Sequence, residues 1–91
     1  MNKADLVKRM GANTGLLRKD IEIIVNELFK EIKKALSDNE RIELRNFGVF
    51  VNKQRKAKLA RNPRTGEPVN IPARLVTVFK PSKDLKNMVT Q

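Results

Sequence analysis

The stretch RNPRTGEPVNIPA, residues 61–73, limits what this chain can fold into more than any other. It carries Pro63, Pro68 and Pro72, and its only aliphatic side chains larger than alanine are Val69 and Ile71. Such a segment cannot join a core, yet core-grade runs lie on both sides of it: Phe47-Gly48-Val49-Phe50-Val51 before and Leu75-Val76-Thr77-Val78-Phe79 after. Asn62-Pro63-Arg64-Thr65-Gly66 has proline and glycine at turn-compatible offsets. The flanks, Lys53 to Leu59 and Val69 to Ile71, keep strand propensity without an apolar face. The chain is therefore expected to leave its body as one strand, turn, and return as another. A lone two-stranded ribbon is marginal in water, so it should order against a partner. A long, anionic, grooved partner fits, since β-ribbons are known to enter DNA grooves.

The charge distribution points the same way. The 91 residues carry 20 Lys and Arg against 10 Asp and Glu. Residues 1–52 are near neutral, whereas residues 53–80 hold eight basic side chains and a single acidic one, Glu67. A merely solvated face interleaves its charges; an excess this concentrated calls for a polyanion. Membrane-surface binding would need a basic amphipathic helix, and here the basic part is the ribbon. There is no cysteine, hence no disulfide or thiolate metal site, and position 1 opens on a charged amphipathic run rather than a signal or membrane segment. A cytoplasmic chain without membrane association is expected.

The remaining segments read as a single domain over 1–91, with a helical part at 1–38, sheet and arm at 41–80 (arm about 53–76), and a C-terminal helix at 82–90. Asn2 caps a first helix with Asp5 in the capping-box position, and Leu6, Val7 and Met10 face inward. Gly11 to Gly15 breaks that helix. A second helix runs from about Arg18 to Leu36 on the stripe Ile21, Ile24, Val25, Leu28, Ile32 and Ala35 or Leu36, with Ile23 and Phe29 widening it. Arg41 to Arg45 alternates as a strand and Asn46 sits at a turn. Ser82 caps the last helix, with Leu85, Met88 and Val89 on its apolar side. The order is ααβββα and the class α+β. Setting aside about 25 residues of ribbon leaves roughly 65 for the body, too few for a dependable unstapled core. An intertwined dimer completes it, with Leu28, Phe29, Ile32, Phe47, Phe50 and Phe79 as the shared core.

Four motifs in order then resemble the bacterial histone-like HU and integration host factor family, end to end: Asn46-Phe47-Gly48-Val49-Phe50 for GFGxF, Arg61-Asn62-Pro63-Arg64-Thr65-Gly66 for the RNPxTG arm tip, Ile71-Pro72-Ala73-Arg74, and Phe79 to Lys86 for FKPGKxLK. The resemblance implies an obligate dimer whose arms lie in the minor groove of double-stranded DNA, bending and compacting it. The intercalating wedge is Pro63. Arm contacts fall to Lys53, Arg55, Lys58, Arg61, Asn62, Arg64 and Arg74; body contacts fall to Lys3, Lys80, Lys83 and Lys86. A homodimer is expected, a heterodimer with a paralogue being the alternative, and the location is the nucleoid. Ala60 departs from a family glycine and puts the arm's path in question.

Each residue also has a plainer role: Pro63 as a turn former, Arg55, Lys58 and Arg61 as edge-strand charges that discourage aggregation, Lys80, Lys83 and Lys86 as a wet surface. These explain single charges, not a whole basic segment. Phe47, Phe50 and Phe79 are core, and with no Tyr or Trp, single-strand binding by stacking is disfavoured. Without His or Cys the commonest general base and thiol nucleophile are missing, and Asp38, Glu40 and Glu43 make no metal set. No enzyme, cofactor or metal is expected. The two other readings are a site-specific, integration-host-factor-like bender and a structured-RNA-binding protein.

Overall fold

The computed structural model describes residues 1–90, as two compact units, Met1–Lys34 and the chain from Ala35 onward. The first unit holds α1 (Lys3–Thr14) and most of α2 (Arg18–Ser37). Asn2 Oδ1 accepts from the Asp5 amide at 3.0 Å and the Asp5 carboxylate accepts from the Asn2 amide at 2.9 Å, so two otherwise orphaned N–H groups are satisfied reciprocally. The helix does not break at Gly11, as the sequence suggested. It continues to Thr14, because one interior glycine costs only about 1 kcal/mol, and Gly15 ends it at φ 74°, donating to the Gly11 carbonyl.

Val7, Ile21 and Val25 are the buried apolar side chains among the described residues. Leu6 and Met10, expected to face inward, are instead exposed within this single chain. Ile23 does not widen the α2 stripe. At 100° per residue it lies about 160° around the helix from buried Ile21, and it is exposed. Phe29, by contrast, extends that stripe.

In the second unit, α2 ends in a Schellman motif: Glu40 N–H donates to Ala35 O, Asn39 N–H to Leu36 O, and Asn39 takes the left-handed conformation at φ 57°. The sheet runs β1 (Ile42–Leu44), β2 (Gly48–Arg55), β5 (Arg74–Pro81), all antiparallel in the order β1-β2-β5. Asn46 carries the positive φ, 65°, of the tight turn between β1 and β2, where asparagine is tolerated.

Phe50 lies opposite Phe79 with ring centroids 4.8 Å apart, and Phe47 packs at 5.2 Å from Phe79. Gly48 makes this packing possible. A Cβ there would come within 2.6 Å of the Phe79 ring and of the Lys80 carbonyl oxygen. Ser82 Oγ accepts from the Leu85 amide and starts α3 (Lys83–Val89).

The three expected strands are five in the structure. The outgoing strand stops at Arg55 and resumes as β3 (Lys58–Arg61); the returning one forms β4 (Pro68–Ile71) and resumes at Arg74. β3 and β4 make a separate two-stranded sheet. Both interruptions fall at one level, Lys56-Ala57 facing Pro72-Ala73. Arg55 and Arg74, direct cross-strand partners, oppose like charges there, and Pro72 has no N–H to give the ladder.

Candidate nucleic-acid interface

The arm tip is built by its own polar groups. Asn62 donates its amide to Glu67 O at 2.8 Å and accepts at its carbonyl from Gly66 N–H at 2.7 Å. Its side-chain oxygen also accepts from the Arg64 amide at 2.9 Å. That Asx turn leaves Pro63 exposed at the apex, held from behind by Asn62, while Gly66 takes the positive φ, 74°, that reverses the chain. Arg61 reaches back to the Gly66 carbonyl.

Below the tip, Ala60 lies opposite Val69 and Lys58 opposite Ile71, so these four share one face; Leu59, Asn70, Arg61 and Pro68 share the other. The ribbon thus has a short apolar strip of Ala60, Val69 and Ile71, where the sequence was read as giving it none. Ala60 sits in regular β3 and has no positive φ. The arm's path therefore carries no strain from replacing a glycine.

Further down, Arg55, Lys58 and Arg74 are brought together with Lys56, Ala57, Ile71 and Val76 around a cavity of about 370 Å³ at the ladder's interruption. Four of these side chains are cationic. Lys56 was not among the residues expected to bind; its signal was the charge run itself.

On the sheet, β-strand alternation places Lys53, Val49, Val51, Val76, Val78 and Lys80 on one face. The Lys53 ammonium stands within hydrogen-bonding reach of Lys80 and holds its pKa below the ordinary lysine range, with Arg41 adding to the repulsion. Arg41 too escaped the sequence reading, because which strands pair beside it was not legible. Arg41 also pairs with Glu43 at 3.0 Å, both side chains being exposed. Lys83 and Lys86 lie on α3. Lys3 belongs to the first unit, where its Nζ donates to Asn26 Oδ1. The expected shared-core residues Leu28, Phe29 and Phe47 are 50%, 41% and 48% exposed in the single chain; Ile32, Phe50 and Phe79 are half-buried.

Residues 1–90 match the family described as "Bacterial DNA-binding protein". The chain is 41% identical to the DNA-binding protein HU of Clostridium pasteurianum over the full length of both, and 40% identical to the integration host factor subunit beta of Alkalilimnicola ehrlichii, covering 98% of this chain and 90% of that one. It belongs to the HU and integration host factor family. Among solved structures, the HU of Anabaena in a cocrystal with DNA superposes with a TM-score of 0.91 at 31% identity, over 98% of this chain and 97% of that one. The HU of Thermotoga maritima gives 0.69 at 26% identity, covering 98% of each. The α+β architecture, three helices and an antiparallel sheet that continues into an arm, is that of the HU structures. Asn46 and Ser82 stand where the HU motifs carry glycine. One takes a left-handed φ and the other caps α3, so neither departure disturbs the backbone.

Proposed function

We propose that this chain is an architectural, non-enzymatic DNA-binding protein that bends and compacts duplex DNA with limited sequence specificity. The observation that carries the reading is the arm: a basic two-stranded ribbon, too thin to serve a core, with Pro63 exposed at a rigidly hydrogen-bonded apex. Its fold matches that of an HU chain cocrystallised with DNA. Lys53, Arg55, Lys58, Arg61, Asn62, Arg64 and Arg74 contact the minor groove and its phosphates; Lys3, Lys80, Lys83 and Lys86 grip the flanking backbone.

Pro63 is the wedge. Its ring is rigid and apolar and lacks an N–H, so it enters between base pairs without burying an unsatisfied donor. Proteins of the HU type are known to unstack base steps in this way, at a cost of a few kcal/mol offset by the contacts a bent duplex makes.

The protein acts as a dimer, with residues 1–38 as the dimerisation part and two arms related by a two-fold axis. The exposure of Leu28, Phe29 and Phe47 supports this, since a single chain leaves them in water. The relatives named as integration host factor subunits favour a second arrangement, a heterodimer with a paralogue. Light scattering on the purified chain alone separates the two. The setting is the cytoplasm, on the nucleoid; among the described residues no helix is long and apolar enough to cross a membrane.

The deciding experiment uses fluorescence energy transfer between the ends of a duplex of about three turns, at saturation. Pro63→Ala should keep dimer stability and most salt-dependent binding to straight DNA, but lose bending and much of its preference for nicked DNA. A mutant that bends DNA as sharply as the wild type reduces Pro63 to a turn residue. Gel shifts with duplex DNA, nicked DNA and A-form RNA test the RNA-binding alternative. Random against A-tract duplexes at two salt concentrations test site specificity.

A further inference from the structure

Asn52 is the last residue of β2 before the basic arm begins, and it lies on the sheet face opposite that of Lys53. It is half-buried. Its side-chain nitrogen donates to the Leu36 carbonyl at 2.7 Å and to Asn39 Oδ1 at 3.3 Å. Its side-chain oxygen accepts from Thr77 Oγ1 at 2.8 Å. Thr77 is its direct cross-strand partner on β5. One amide therefore ties both arm strands to the final turn of α2 and to the left-handed residue that closes it. Both of its N–H donors and one acceptor site are used, so the amide has one satisfied orientation.

Outward of this pair come Lys53 opposite Val76, Gln54 opposite Leu75, and the like-charged Arg55 and Arg74; then the ladder stops. We propose that Asn52 is a positioning residue for the arm, fixing the direction in which the ribbon leaves the body and so the course of the DNA. This rests on the DNA-bending reading above.

The lever is long. Pro63 lies eleven residues beyond Asn52, at most about 36 Å at about 3.3 Å per residue. Ten degrees of play at the root then moves the tip by about 6 Å, nearly two base-pair steps of 3.4 Å. A wedge that must enter one step cannot tolerate that. The like-charge pair and the interruption above Asn52 add freedom of their own, which leaves the Asn52–Thr77 level as the outermost place where side chains fasten both strands to the helix end.

The test compares Asn52→Val, Thr77→Val and Thr77→Ser with the wild type. The first two keep strand propensity and approximate shape while removing the hydrogen bonds; the third keeps the hydroxyl. Amide hydrogen exchange without DNA should speed up about tenfold at residues 53–55 and 74–76 in both valine variants, the factor expected for about 1.4 kcal/mol from a lost hydrogen bond. The inner half of β2, Val49 and Phe50, should stay within about twofold, and Thr77→Ser should match the wild type. On a nicked duplex at saturation, the valine variants should give a broader and less bent energy-transfer distribution.

Unchanged exchange, or equal acceleration across β1, β2 and β5, overturns the proposal, the second because it marks general destabilisation. Acceleration confined to the arm root with wild-type bending overturns it as well, leaving a structural bond only. A wild type that does not bend DNA strikes the bending reading itself, and that is visible before any variant is made.

Discussion

At the scale of single residues, two positions are fixed by what stands next to them. Gly48 has no room for a methyl group, with the Phe79 ring and the Lys80 carbonyl both in the way. Gly48→Ala should destabilise the fold by about 2 kcal/mol or more, lowering the melting temperature by roughly 8 °C or more in calorimetry. Lys80 is held below the usual lysine range chiefly by Lys53, whose N–H groups favour a neutral Lys80 amine as acceptor and whose charge opposes a second ammonium. The protonated form is thus disfavoured in the folded state, and stability should rise as pH climbs through the lowered Lys80 pKa, levelling off above the pKa of an unfolded lysine. NMR titration of the side chain should show Lys80 losing its proton below the ordinary lysine range. Lys53→Gln should move it back up, and so should bound DNA, whose phosphates favour the ammonium. Lys80 titrating within the ordinary lysine range contradicts this. The clash at Gly48 was not readable beforehand, because it depends on β2–β5 register rather than on any local pattern.

Elements show best how far sequence goes. The helices were legible because capping and period act within a few residues: Asn2 with Asp5, and Ser82, fall where their chemistry puts them, and of the α2 stripe Ile21 and Val25 are buried while Ile24 and Leu28 stay exposed in the single chain. Asn62 to Gly66 was legible for the same reason. The break at Lys56-Ala57 was not, since it depends on what the pairing brings level with it, Arg74 against Arg55 and Pro72 without an N–H. The apolar strip of Ala60, Val69 and Ile71 was missed likewise, being shared between two strands. If this strip and the turn hold the ribbon tip together, Asn62→Ala should loosen it. Losing the Asx bond to Arg64 should cost about 1 kcal/mol locally, seen as faster amide exchange at Arg64 and Gly66 with the melting temperature of the body unchanged.

For the whole molecule, charge and incompleteness are the governing facts. Several Lys and Arg per chain, doubled in a dimer, should neutralise about 6–10 phosphates and release their counterions. Affinity should then fall roughly a thousandfold or more between 50 and 200 mM salt; a flat response in fluorescence titrations contradicts the electrostatic footing of the interface. A buried set of Val7, Ile21 and Val25 is meagre for 91 residues. The purified protein should scatter light as a dimer at micromolar concentration, and Leu28→Glu or Phe47→Glu should unfold it by circular dichroism. A folded, cooperative monomer overturns that expectation. The expectation of a dimer came from chain length and from the apolar stripe of α2. The exposure that argues for it, at Leu28 and Phe47, came only with the structure.

The interruption of the arm ladder also bears on how long the protein survives. Lys56-Ala57 is a stretch of exposed backbone outside both ladders, with a basic residue on the cleavage side of the bond. Proteases need an extended, unpaired segment, and this one is offered whenever no polyanion covers it. Trypsin should nick the free protein first after Arg55 or Lys56, and saturating duplex should suppress the cut. Proteolysis would then fall on the free protein and spare the DNA-bound form.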